Sequence, residues 1–287
     1  MDAFSLLSLN TFGVPFYLSS GRIKRLAAEI NRLKPTVACL QEVQQNVYLP
    51  LLQRGLVSYP QLTFFRNALA PKGGLFTAAD LNSPGMKGEF FPFLNQGKPV
   101  SIGFSDWALN KGALLVNLEF QEHRFAILNT HLQANYRGDW RLSNLQTKIQ
   151  LDQVKDLVKL IHAQPVNAWV IVCGDFNFPR QSPAYQEMIS QSGLIDALVD
   201  DPRHSYRPFP LISRKWQTSL DYIFFRIPAG ETAKVTAAIL PIENASAVLP
   251  FQRFLTDHNA LTLNIRWDPI QQKSPPNESF YPGGIRV

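Results

Sequence analysis

Short apolar runs of strand length recur along this chain, and polar residues able to do chemistry stand at their ends. Residues 4–9, 37–41, 62–65, 113–118, 124–129, 169–173, 220–225 and 260–265 each have the length and the β-branched or aromatic content of a buried strand. So many strands commit the core to sheets. Helical spacing interrupts them. Ser19 and Ser20 cap a segment whose Ile23, Leu26, Ala27, Ile30 and Leu33 share one face and which Pro35 stops. Val154, Leu157, Val158 and Ile161 share a face of a long helix between Trp140 and His162, and Ser182-Pro183 through Ser192-Gly193 has its cap, first-turn proline and terminal glycine in place. The opening order strand, helix, strand predicts a layered α/β domain.

Two stretches, 67–105 and 201–216, carry Gly, Pro, Arg and aromatics without clear periodicity and are expected to be long loops. Residues 268–287, with Pro269, Pro275, Pro276 and Pro282, are expected to form an extended surface tail on a single catalytic domain spanning 1–287. A composition of 45% hydrophobic and 17% charged residues suits a packed core and excludes an intrinsically disordered chain. The balance of 28 Lys+Arg against 22 Asp+Glu, a net +6, favours polyanions or anionic membrane surfaces as partners. Cys39 and Cys173 both lie in apolar runs and read as buried structural thiols. No run is long enough to span a bilayer and no export signal is visible, so the expected location is cytoplasmic or peripheral to a membrane.

The polar residues come in five groups, each read as the C-terminal end of an apolar run: Asn10 after Ser8-Leu9, Glu42 after Cys39-Leu-Gln, His131 after Leu128-Asn-Thr, Asp175 and Asn177 after Val172-Cys-Gly, and Asp257-His258 after Leu255-Thr. Asp221 adds an acid early in another strand. Taken singly, Asn10 could be a turn residue, Glu42 a surface acid and His131 a core histidine. Together they supply oxygen ligands for Mg²⁺, two histidines and neutral amide donors for phosphate oxygens, a set sufficient for metal-assisted attack on a phosphodiester. Nothing points to a covalent nucleophile: the sequence has no Gly-x-Ser-x-Gly elbow and no Gly-x-x-x-x-Gly-Lys-Ser/Thr loop. Lys111, in Asn110-Lys111-Gly112, directly precedes a strand and could stand near the same cleft.

The order Asn10, Glu42, His131, Asp175-x-Asn177, Asp221, Asp257-His258 resembles the endonuclease/exonuclease/phosphatase superfamily over nearly the whole chain. The resemblance implies an α/β (α+β) four-layer sandwich, two packed mixed β-sheets flanked by helices. It implies that Glu42 and Asn10 hold Mg²⁺, or Mn²⁺ in its place, with Asp257 on the metal side. His258 would deprotonate the attacking water while Asp221 orients its ring, and Asp175 would position that water. Asn177 and His131 would bind the phosphate oxygens, with Lys111 beside them, and His131 would also help as charge develops in the transition state.

Within the superfamily the chain is most similar to the neutral sphingomyelinases, through Thr130-His131-Leu132-Gln133-Ala134, Leu220-Asp221-Tyr222-Ile223 and Asn110-Lys111-Gly112. That likeness implies a phospholipid substrate at a membrane surface, and Phe90, Phe91 and Phe93 are the candidate anchor, or else a cap of core aromatics. The alternative is a Mg²⁺-dependent nuclease on DNA or RNA, for which Arg203, Tyr206, Arg207, Arg214, Lys215 and Trp216 offer charge and stacking. A phosphatase and a non-catalytic phosphate-binding protein are the remaining readings.

Overall fold

The computed structural model describes residues 3–14, 19–81, 86–97, 109–207, 217–244, 247–248 and 253–267. Two mixed six-stranded sheets pack face to face, and helices cover their outer faces. The first sheet joins β1 (Ala3–Asn10), β2 (Val37–Gln41), β3 (Gln61–Thr63), β4 (Phe76–Ala79), β11 (Ala233–Leu240) and β12 (Ala260–Trp267) in the order β11-β12-β1-β2-β4-β3. The second joins β5 (Lys87–Pro92), β6 (Gly112–Phe120), β7 (His123–His131), β8 (Trp169–Asp175), β9 (Ile195–Asp196) and β10 (Asp221–Arg226) in the order β5-β6-β7-β8-β10-β9. Between the sheets lies an apolar layer that includes Phe4, Leu6, Val116, Ile127, Ile171 and Leu263. Helices α1 (Ser19–Leu33) and α2 (Tyr48–Gly55) cover the first sheet through Ile23, Leu26, Leu49 and Leu52. Helices α3 (Leu145–His162) and α4 (Pro183–Ser192) cover the second through Val154, Leu157, Ile161 and Met188. This is the four-layer α/β sandwich that the sequence implied.

β1 and β2 run parallel with α1 between them, and β7 and β8 run parallel with α3 between them. A parallel pair needs such a crossover, and strands buried on both faces read as continuous apolar runs. Every residue of β2 and of β8 is buried. The neighbouring strands β6, β10 and β12 are antiparallel to these pairs. One edge of the sandwich therefore collects the C-terminal ends of β1, β2, β7 and β8 and the N-terminal ends of β6, β10 and β12.

Several expectations need correction. The stretch 67–105 is not one loop, since its described part contains a 3₁₀ turn (Lys72–Gly74), β4 and β5. Neither α2 nor β11 was anticipated, and the strand expected at 62–65 is β3, at Gln61–Thr63. Asp257 and His258 do not end a strand; they lie just before β12, which starts at Ala260. Phe93 is buried, and Phe90 and Phe91 are half-buried against the inter-sheet core and the α3 side respectively. For Phe93 the core-cap reading therefore replaces the membrane anchor. Cys39 and Cys173 are buried free thiols, as read from sequence. Arg214, Lys215, Trp216 and the tail 268–287 lie outside the described residues.

Gly174 shows how tightly β7 and β8 approach. Its φ of 142° belongs to glycine, and a Cβ there would stand 1.9 Å from the Thr130 carbonyl oxygen. Gly174→Ala is expected to cost about 3 kcal/mol or more of folding stability, from backbone strain plus overpacking. A denaturant midpoint unchanged from wild type would contradict this close packing.

Candidate active site

The shared edge brings together Asn10, Glu42, Lys111, His131, Asp175, Asn177, Asp221, Asp257 and His258. Asn10, Glu42, His131 and Asp175 close the four parallel strands, and Asp221 faces Asp175 directly across the β8–β10 ladder. Glu42 has φ 55° and Asn177 φ 56°, so both stand in the left-handed region, one and two residues past the ends of β2 and β8. That conformation costs roughly 1–2 kcal/mol for a residue such as Glu, and local contacts hold it. The Glu42 carbonyl accepts from Gly13 N (3.0 Å) and Thr11 Oγ1 (3.1 Å), while Val43 N donates to the Gly74 carbonyl (2.9 Å). Gly13 is required there, because a Cβ would lie 2.0 Å from the Glu42 oxygen.

His258 donates from Nδ1 to Asp221 Oδ2 at 2.7 Å. Its Nε2 lies 3.8 Å from Asp175 Oδ2 and 3.9 Å from Asp257 Oδ1. His131 Nε2 stands 3.8 Å from Glu42 Oε1 and 3.7 Å from Asp175 Oδ2. Asn10 spans the centre: Nδ2 donates to Asp175 Oδ2 (2.9 Å) and Oδ1 accepts from Phe12 N (2.9 Å). Asn177 donates from its backbone to Asp175 Oδ1 (2.9 Å) and from Nδ2 to the Leu132 carbonyl (3.1 Å). Lys111, fully buried, donates from Nζ to that same carbonyl at 2.8 Å. Its charge therefore sits beneath the cleft.

Burial, with repulsion from Asp221, pushes Asp175 up to about 7, and burial with the Glu42 charge pushes Asp257 up to about 6. Burial likewise raises Glu42. For His258, burial alone would lower the imidazole pKa, but Asp221, Asp257 and Asp175 outweigh it and hold it well above its ordinary value. Burial, helped by Lys111 and His258, holds His131 well below. Ligand atoms of Glu42, His131 and Asp175 lie within 4.8 Å of one another, as do those of Asp175, Asp221 and His258. Buried carboxylates crowded until their pKa values rise are a donor set that a hard divalent cation fits.

Sequence reasoning missed the residues that hold this set in place. Arg22, on α1, donates to the carbonyls of Thr11 (2.9 Å), Leu255 (2.7 Å) and Phe12, clamping the ends of the Asn10 and Asp257 segments together. Thr256 Oγ1 donates to the Asn10 carbonyl (2.7 Å) and accepts from His258 N (3.2 Å). Ser205 Oγ accepts from Leu220 N and Asp221 N, each at 2.9 Å. Gln150, on α3, donates to the carbonyls of Gln133 and Asn177, both at 2.8 Å. The available signal was a polar residue on the apolar face of a helix, Arg22 beside Ile23 and Leu26, and Gln150 beside Ile149 and Val154. In the basic loop, Tyr206 packs its ring 5.1 Å from His258, and Arg207 lies 3.4 Å over the Phe254 ring. Arg203 pairs with Asp201.

A sandwich of two mixed sheets with a His–Asp pair and clustered carboxylates at one edge defines a phosphoesterase-type scaffold. The chain belongs to the Endonuclease/Exonuclease/phosphatase family, which residues 7–258 match. It is 30% identical over 107 residues to Sphingomyelinase C 2 of Leptospira interrogans serogroup Icterohaemorrhagiae serovar Lai (strain 56601), a match that covers 37% of this chain and 16% of that relative. Its fold is similar to sphingomyelinase C from Streptomyces griseocarneus, with TM-score 0.70, 18% identity and coverage of 92% and 99% of the two chains. It is similar also to D. rerio TDP2 complexed with a single strand DNA product, with TM-score 0.71, 18% identity and coverage of 93% and 100%. At these identities the likeness to the solved structures is one of fold.

Proposed function

We propose that this protein is a divalent-metal-dependent phosphodiesterase that hydrolyses a phospholipid head group in the manner of a sphingomyelinase, using a water molecule deprotonated by His258. The observation that carries this reading is the buried His258–Asp221 pair at 2.7 Å, whose second ring nitrogen faces Asp175 and Asp257 across gaps of 3.8 and 3.9 Å. By accepting a hydrogen bond from Nδ1–H, Asp221 fixes the tautomer and leaves the Nε2 lone pair free to take a proton from water. Asp175 orients that water as its oxygen bonds to phosphorus and the P–O bond to the leaving group breaks, the departing alkoxide taking its proton from solvent. Asn177 and His131 contact the phosphoryl oxygens, and Lys111 acts on them through its charge.

Glu42, Asn10 and Asp257 are the residues that would hold Mg²⁺, or Mn²⁺. Bound there, the cation would stabilise the charge that builds on the phosphoryl oxygens. The sphingomyelinase likeness of the Leptospira relative supports a lipid substrate, met by peripheral contact with a membrane. Among the described residues, no helix is long and apolar enough to cross one. The net charge of +6 and the fold likeness to a DNA-bound TDP2 support nucleic acid as the second reading.

Sphingomyelin vesicles and plasmid DNA, each incubated with the protein in Mg²⁺ or EDTA, separate the two. Phosphocholine release that requires Mg²⁺, with the plasmid intact, is the expected result. Plasmid cleavage with intact vesicles would make the protein a nuclease, and silence on both would sink the diesterase reading.

A further inference from the structure

The packing between the two sheets is apolar and therefore non-directional; it resists separation of the sheets more than sliding of one past the other. A polar knot interrupts it, directly behind the site. Gln41, Asn129 and Ser8 are each at most 2% exposed. Gln41 Nε2 donates to Asn129 Oδ1 at 2.7 Å across the interface, with Ser8 Oγ at 3.2 Å and the Cys39 carbonyl at 3.3 Å from the same nitrogen. Asn129 Nδ2 reaches back into the first sheet, to the carbonyls of Leu40 (3.1 Å) and Phe76 (3.2 Å) and to Thr77 Oγ1 (3.4 Å).

We propose that this buried Gln41–Asn129 amide pair is a positioning device for the reaction, a pin that sets Glu42 of one sheet against His131 of the other. The inference rests on the phosphodiesterase reading above. Gln41 immediately precedes Glu42. Asn129 lies two residues before His131 on β7, so both side chains point from the same face toward the first sheet. The Glu42–His131 separation of 3.8 Å spans the two sheets, and no covalent link between the strands fixes it. Hydrogen bonds are directional, and a slide of the sheets by about an ångström would break those made by both amides. Burying two amides is costly unless they are paired, and fixing registry is the best-attested use of buried polar groups. Neither amide touches substrate; the pair acts through Glu42 and His131.

The alternative is that the pair contributes only stability. Asn129→Leu and Gln41→Met keep the branched and linear side-chain shapes while removing the pin, and Val116→Ala perturbs the same interface away from the site. All are compared at a temperature where denaturation curves show each fully folded. Asn129→Leu is expected to lower kcat on sphingomyelin vesicles by about 10- to 100-fold with KM little changed, and to weaken Mn²⁺ binding, followed by electron paramagnetic resonance, about tenfold. Gln41→Met is expected to do nearly the same, and the double variant no worse than either single one. Val116→Ala should lose stability yet keep both quantities within about twofold of wild type.

Wild-type kcat and Mn²⁺ affinity in Asn129→Leu, or equal losses in Val116→Ala, would overturn the pin. If Asn129→Leu fails to fold, Gln41→Met decides alone on the same criteria. A wild type that binds Mn²⁺ without hydrolysing lipid or DNA sinks the phosphodiesterase reading while the Mn²⁺ comparison still judges the pin, and a wild type that does neither overturns both.

Discussion

His258→Ala is expected to lower kcat for phosphodiester hydrolysis by about 10³-fold, within the range that a positioned general base supplies. The protein should still fold, because the side chain lost makes one hydrogen bond, to Asp221, and one ring contact, with Tyr206, at the rim of the sheets. Asp221→Asn makes the sharper companion experiment. Asp221 is the largest of the influences that hold the His258 pKa above its ordinary value of 6.5, against the downward pull of burial. A general base works in its neutral form, so the acidic limb of kcat/KM falls where His258 takes up its proton. Removing the carboxylate lowers that pKa, and the limb should move to lower pH even as the maximal rate drops through loss of the tautomer. Both enzymes must be measured at one Mg²⁺ concentration, since a bound cation also acts on the imidazole. An acidic limb that stays in place, or moves to higher pH, would remove His258 from the role of base.

Metal removal should have the next largest effect. EDTA is expected to abolish turnover, and Glu42→Gln to raise the Mg²⁺ concentration needed for half-maximal activity by about 100-fold. The physical basis is the crowding of buried acids, with Asp175 pushed up to about 7 and Asp257 to about 6. Such groups retain protons near neutrality that a cation displaces, so Mg²⁺ binding between pH 6 and 7 should release protons, seen by calorimetry in buffers of different ionisation enthalpy.

A stability consequence carries the same sign. An acid whose folded pKa is raised binds protons more tightly when folded, so its contribution disappears as pH rises through that folded value. His258, also raised, behaves alike. His131, held well below 6.5, opposes this trend only where the unfolded imidazole is protonated. Between pH 6.5 and about 8 the metal-free protein should therefore lose thermal stability as pH rises, while the rise in Tm produced by Mg²⁺ should grow. A metal-free Tm that climbs across this window would contradict the crowded-carboxylate site.

Much of the site was legible because of where a buried strand must stop. An acid such as Glu42 or Asp175 at the close of an apolar run is costly to bury without partners, so it marks the strand end and the edge at which a cleft can form. The helices that were legible owe this to local chemistry. Ser182 accepts from Tyr185 N, Pro183 opens the first turn, and Gly193 closes α4 with φ 68°, as its sequence demands. The elements that were missed lack such signals. β4, Phe-Thr-Ala-Ala, is four residues long and buried on both faces, so no alternation betrays it. β11 is an edge strand of Ala, Lys, Val and Thr whose assignment depends on its partner β12, and α2 carries Pro50 within it.

Local sequence thus determined most of the long buried strands, where most of the helices lie and which residue types stand at the strand ends, because periodicity, caps and the cost of burying charge act over a few neighbouring residues. It could not determine that Asp257-His258 stand just before β12 instead of ending a strand, nor that Arg22 and Thr256 bridge the Asn10 and Asp257 segments and Gln41 pairs with Asn129. Those facts follow from the order in which twelve strands pair into two sheets and from the depth at which the sheets meet. Contacts such as Arg22 with Leu255 and Gln41 with Asn129 join residues separated by 233 and 88 positions; the first forms when β1 and β12 pair with α1 packed over them, the second only when the two sheets close on each other.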